Sequence, residues 1–213
     1  MNYNNYPTGI QRSLTFIVLF AIFAITTQAM KRNNISILLA IFLVALTVAA
    51  RIFNAQLHVA NFVPIAAISL FSGAMIKDKR SLAFLAPLLG QFLADVYFQF
   101  FTSTPGFYPG QWLNYGALVS VTALGLLMKQ PKPLTTVAFL FGGSTLFFLV
   151  SNFGYFLSGW NGFTFAGLTK TYIDAIPFFK FTMMGDMVGG VLLFGGYFFV
   201  QQALLKKTQR VNA

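Results

Sequence analysis

The chain has no cysteine, no glutamate and a single histidine, His58. Without Cys there are no disulfides, thiolate metal sites or Cys nucleophiles, and redox compartment cannot be read from Cys usage. One His and no Glu remove most zinc and hydrolase constellations. No resident cofactor and no protein-held metal are assigned. Acid is scarce altogether: four Asp stand against 14 Lys and Arg, for a formal charge of +10. Charged residues make up only 8% of the chain, against about a quarter in soluble domains. The phosphate-binding pattern Gly-x-x-x-x-Gly-Lys-Ser/Thr is also missing, so any ATP use has to come from a partner.

What fills the chain is apolar. Hydrophobic residues reach 57%, 27 residues are Phe, and mean hydropathy is +0.72. These values point to an integral membrane protein of the all-α class, a polytopic helix bundle. Seven apolar segments are readable, at 14–30, 35–53, 62–76, 82–101, 112–128, 134–157 and 182–205. The third is short and opens at Pro64, a residue favoured in a first helical turn. Residues 163–181 read as an outer loop with a re-entrant or interfacial turn, because Pro177 argues against an uninterrupted helix there.

The connections fall into two alternating kinds. "KRNN" (31–34), "KDKR" (77–80), "KQPKP" (129–133) and "KKTQR" (206–210) are basic and hold ten of the 14 Lys and Arg. "NAQLHVAN" (54–61), "TSTPGFYPGQ" (102–111) and "SGWNGFTFAGLTKTY" (158–172) are rich in Gly, Pro and aromatics. The positive-inside rule places the basic set in the cytoplasm and the C-terminus with it. The expected location is the bacterial inner membrane, multi-pass. Short basic clusters between apolar segments are loop anchors rather than a nucleic-acid arm, so the lipid bilayer is a partner and nucleic acid is not. Residues 30–213 form the six-helix transmembrane domain. Residues 1–29 are an extension with three readings: a seventh helix, a weak secretory signal, or sequence upstream of a true start at Met30.

With this topology the unusual polar groups gather at the outer side. Arg51 ends the second apolar segment, Asp95 lies in the outer half of 82–101, and Asp186 lies near the outer end of the last segment. A charge at membrane depth costs a few kcal/mol or more, so it is paired, functional or both. One reading is structural, with Arg51 or Lys180 neutralising Asp95 and Asp186. The other is ligand contact. Asp174 reads as a solvated helix cap. Asn114 and Asn152, near outer helix ends, serve either interhelical hydrogen bonds or a ligand. Trp112 and Trp160 suit a headgroup-level aromatic belt, and Trp160 with the loop aromatics also suits a lid over an outward cavity. Small-xxx-small pairs (Ala45 and Ala49, Ser69 and Gly73, Gly185 and Gly189) predict close helix packing.

The stretch "DAIPFFKFTMMGD" (174–186) is expected to turn at Pro177 and lay Phe178, Phe179 and Phe181 along the cavity wall. Lys180 and Asp186 then fix polar groups of a ligand or one another. His58 and Asn61, in the first outer loop, close over the top. Were the ligand a corrinoid or haem, His58 would be the one strong axial ligand.

Three stretches in order, "NFVPIAAISLFSGAMI" (61–76), "SNFGYFLSG" (151–159) and "AIPFFKFTMMGD" (175–186), resemble a family of uncharacterised bacterial six-helix membrane proteins. Its members carry an Asn-Phe-x-Pro stretch, a Leu-Phe-Gly-Gly stretch and an Ala-Ile-Pro-Phe-Phe…Gly-Asp stretch. "LFSG" at 70–73 departs from the second by one serine. In size, helix number and outer loops that family is similar to the substrate-binding S components of energy-coupling-factor vitamin transporters. This likeness implies a ligand under the outer loops and an Ala-xxx-Ala face, here Ala45 and Ala49, toward a membrane coupling subunit with its ATPases. The resulting expectation is a membrane transport protein that binds a vitamin-sized small molecule, a corrinoid among the candidates, at its outer face. Two other classes stay open: an intramembrane aspartyl protease using Asp95 and Asp186, and a ligand-free accessory subunit. "GD" at 185–186 fits the protease weakly, since Met183 stands where the motif's first Gly belongs.

Overall fold

A computed structural model describes residues 32–57 and 61–211, and side chains over 35–56 and 61–202. His58 and residues 1–31, with the Met30 start and the first apolar segment, lie outside the described residues. Among these residues every regular element is a helix: α1 Arg32–Leu57, α2 Ile65–Met75, α3 Arg80–Phe101, α4 Trp112–Leu127, α5 Pro133–Leu157 and α6 Phe165–Val211. Four of the six (α1, α3, α5, α6) are long and apolar enough to cross a membrane. The 11 residues of α2 and the 16 of α4 rise only about 16 and 24 Å at 1.5 Å per residue.

The shortness of α2 is offset by its position. It packs against all five other helices, and an unbroken run from Ala66 to Ala74 is buried. Its face toward α4 is built from glycine. A Cβ on Gly73 would stand 2.1 Å from the Thr122 carbonyl oxygen, and one on Gly125 would stand 2.3 Å from that of Leu70. The Ser69/Gly73 pair thus sits where close approach is made, with Gly125 as its partner. On the α6 side, a Cβ on Gly189 would fall 2.2 Å from Pro64, so the chain enters α2 pressed against α6. It does so after Asn61, whose φ of +58° lies in the left-handed region that Asn tolerates better than most residues. The irregular stretch 61–64 is exposed at Asn61 and half-buried from Phe62 to Pro64, and non-helical backbone is accommodated at membrane depth where it is buried in protein or lines a cavity.

The end that carries the basic loops is tied separately. Lys77 Nζ donates to the carbonyls of Met128 and Lys129, at 2.5 and 2.9 Å, placing a cation on the negative end of the α4 dipole. Ser36 donates to Asp78 at 2.6 Å, linking α1 to the α2–α3 connection.

The last helix corrects the sequence expectation. Instead of an outer loop over 163–181 and a helix from 182, α6 runs unbroken through Pro177 from Phe165. Proline removes one backbone donor and costs about 3 kcal/mol in an isolated helix. Neighbours offset that here, because the first half of α6 is held against α5. Tyr172 donates to the Leu149 carbonyl at 2.8 Å, and Phe179 packs on Phe148 with ring centroids 4.5 Å apart. Asp174 is correspondingly not a cap. It lies inside α6 and forms an exposed i,i+4 pair with Lys170, the kind of pair that contributes little in water.

Candidate functional site: a cavity beneath the glycine- and aromatic-rich loops

A cavity of about 580 Å³ opens at the end opposite the basic loops. Its wall is assembled from the last turns of α1, α3 and α5, the first turns of α2 and α4, the 102–111 connection and the proline-containing stretch of α6. Phe98, Phe147, Phe148, Phe178 and Phe179 supply apolar wall, and Arg51, Asn54, Gln91 and Asn152 supply polar groups.

The floor is organised by one carboxylate. Asp95 on α3 is fully buried, and in that setting it requires compensation from every side. Arg51 on α1 forms the ion pair through Nη1, which also donates to the Gln91 carbonyl at 3.1 Å. Gln111 Nε2 and the Tyr115 hydroxyl donate to the other carboxylate oxygen, at 2.5 and 2.6 Å. Gln91 Nε2 lies 3.4 Å from both oxygens. The guanidinium carbon of Arg51 stands 5.2 Å from the Phe98 ring centre, within range for a cation–π contact. One acid therefore joins α1, α3, α4 and the intervening loop.

That loop is stapled in place by the same groups. Gln111 donates to the Gly106 carbonyl at 3.0 Å and accepts from the Tyr108 N–H at 3.2 Å. Gln99 accepts from the N–H groups of Gly106 and Phe107 at 3.1 and 3.2 Å. Tyr108 hangs from the loop into the cavity and accepts from Asn114 Nδ2. Burial first, and the Asp95 charge next, push its phenol above the ordinary value, so it stays neutral at physiological pH.

Of the residues singled out in the sequence, Arg51, Asn61, Asn114, Asn152, Phe178 and Phe179 line the cavity. Asp95 lies behind Arg51 and Gln91 as their anchor rather than on the surface. Trp160 is exposed and stacks on Tyr155 at 6.4 Å; Tyr155, not Trp160, faces the cavity. Lys180 lies over the Phe181 ring at 4.9 Å, and neither contributes to the cavity wall, because successive residues of a continuous helix diverge by about 100°. The expected pairing of Asp186 with Lys180 or Arg51 is replaced by other partners. Asp186 sits mid-way along α6 and accepts from the Ala67 N–H at 3.0 Å and from Ser144. Asp95 and Asp186 share none of these partners, so each carboxylate is held in its own setting.

Sequence reasoning passed over Asn54, Gln91 and Ser151, all of which line the cavity, as does Tyr108, one of the loop aromatics expected over it. Two had a signal. Asn54 is three residues after Arg51 and Gln91 four before Asp95, the spacings that share a helix face. Among the described residues no group of three or more His, Asp or Glu comes together as a metal site.

The family described as DUF6580, a family of unknown function, is matched over residues 28–209. The chain belongs to DUF6580. The matched DUF6580 region takes in every residue of the cavity wall. No curated protein and no solved structure matches the chain.

Proposed function

We propose that this DUF6580 protein binds a vitamin-sized small molecule in the cavity and serves its uptake across the membrane. The observation that carries the reading is the cavity itself: about 580 Å³, within the roughly 300–1,000 Å³ of small-molecule sites. Its lining combines aromatic wall with several polar side chains, of which Arg51 and Gln91 are held by a second layer of hydrogen bonds around Asp95. The volume favours a molecule of a few rings over a whole corrinoid. Positive-inside logic puts the cavity mouth at the outer face of a bacterial inner membrane and the C-terminus in the cytoplasm. Energy then comes from a membrane coupling subunit with ATPases, as in the S components to which the family is likened in size, helix number and outer loops.

Native mass spectrometry of the protein purified in mild detergent tests the binding step. A bound small molecule is expected, and Ser151→Trp, which fills the cavity from α5, is expected to remove it together with the stabilisation the ligand gives, while the variant still folds and purifies from the membrane. A protein that carries no small molecule from any expression host, and gains no stability from cell extract, sinks the reading.

A further inference from the structure

We propose that the cavity takes a ring-bearing monocarboxylate, whose carboxylate docks on the free edge of the Arg51 guanidinium. This rests on the reading of the cavity as a ligand site and adds the chemistry of the ligand. Arg51 is the one charged residue among the described residues of the wall, and 18% of its side chain is exposed. Both of its protein hydrogen bonds leave from Nη1, to Asp95 and to the Gln91 carbonyl. Of five guanidinium N–H groups, those on Nε and Nη2 therefore have no protein partner. Neither nitrogen is among the buried unpaired atoms, which include the sealed amide oxygens of Gln91 and Asn54. The Nε/Nη2 edge is open, and it is a fork that matches the two oxygens of a carboxylate. Asn54 lies three residues further on, on the same face of α1. With its oxygen sealed, the outward end of its amide is the donor Nδ2.

Asp95 does not consume this cation. Its second oxygen is held by the neutral donors Gln111 and Tyr115, so part of its charge is met without Arg51. Asp95 is also fully buried, and the ion pair thus turns its positive end to the cavity. A cationic ligand would meet that end with no acid on the described wall to offset it. A phosphate dianion would need a second cation, and Lys180 stands outside the wall. One negative charge suits the site. Phe98, which packs under the guanidinium, and Phe148, Phe178 and Phe179 give the rest of the molecule an aromatic surface.

2-Naphthoate and 2-naphthamide share one ring system and differ in the charge of the group offered to Arg51. Their binding to the full chain in nanodiscs at neutral pH, read by ligand fluorescence with empty nanodiscs subtracted, is the test. A charge-assisted pair in place of neutral hydrogen bonds predicts about tenfold preference for naphthoate. Asp95→Asn leaves Arg51 without its competing anion and should widen that preference. Arg51→Met/Asp95→Leu removes the guanidinium without stranding the carboxylate and should abolish it. Equal or reversed affinities overturn the proposal, as does failure of naphthoate to bind or a preference that survives the loss of Arg51. A protein that retains a co-purified small molecule yet shows no preference for naphthoate overturns the carboxylate proposal alone, whereas a protein empty of any cavity ligand strikes the underlying reading.

Discussion

Asp186, in the middle of α6, accepts a hydrogen bond from the backbone N–H of Ala67, the third residue of α2, 119 positions earlier in the chain. The first N–H groups of any helix lack partners within it. In α2 they are enclosed in protein, and Pro64 before it provides no side-chain cap. A carboxylate from another helix fills that role and also complements the positive end of the α2 dipole. Ser144 on α5 holds its second oxygen. Gly185 and Gly189 on either side let α6 come close enough to the 62–64 stretch and the start of α2.

Asp186→Leu is accordingly expected to destabilise the protein by about 2–3 kcal/mol, the cost of leaving buried donors unpaired. Asp186→Asn keeps one carbonyl acceptor and should cost less, and Ser144→Ala least of all. Thermal unfolding in detergent orders the three. An Asp186→Leu protein as stable as the parent would remove the capping role.

The Arg51–Asp95 pair predicts strong coupling. Removing either partner alone leaves a buried charge and should cost about 3–5 kcal/mol. The double variant Arg51→Met/Asp95→Leu should cost clearly less than the sum, a difference that a double-mutant cycle of unfolding measurements reads directly. Additive costs would show that Gln111 and Tyr115, not Arg51, sustain the carboxylate.

Close packing between α2 and α4 gives a steric prediction. Gly73→Ala places a methyl 2.1 Å from the Thr122 carbonyl, so the helices must separate, at a cost of about 1–3 kcal/mol or more. Gly142→Ala, where nothing lies within 4 Å of the added atom, should be neutral or slightly stabilising. Equal melting temperatures for the two variants would contradict the packing described.

Sidedness is open to a labelling test. In intact cells Ser103→Cys, beside the cavity loop, should react with a membrane-impermeant thiol reagent, and Lys132→Cys should not. The chain has no cysteine of its own, so background is absent. The reverse pattern would invert the orientation and place the cavity mouth in the cytoplasm.

Helix class, the helix boundaries of 32–157 to within a few residues, and the two-sided distribution of loops follow from the sequence by itself. These properties depend on local composition: apolar length, basic clusters and Gly/Pro punctuation act over a few turns and need no knowledge of neighbours. Tertiary structure alone decided the rest. Pro177 breaks helices in isolation, and only the packing of Tyr172 and Phe179 against α5 shows why it does not do so here. That continuity rotated Lys180 and Phe181 away from the cavity and moved Asp186 from its mouth to the start of α2. The number of charges was legible; their partners were not. Pairing depends on which helix faces meet, and the contacts that set those faces (Gly73 with Thr122, Gly189 with Pro64) join residues distant in the chain.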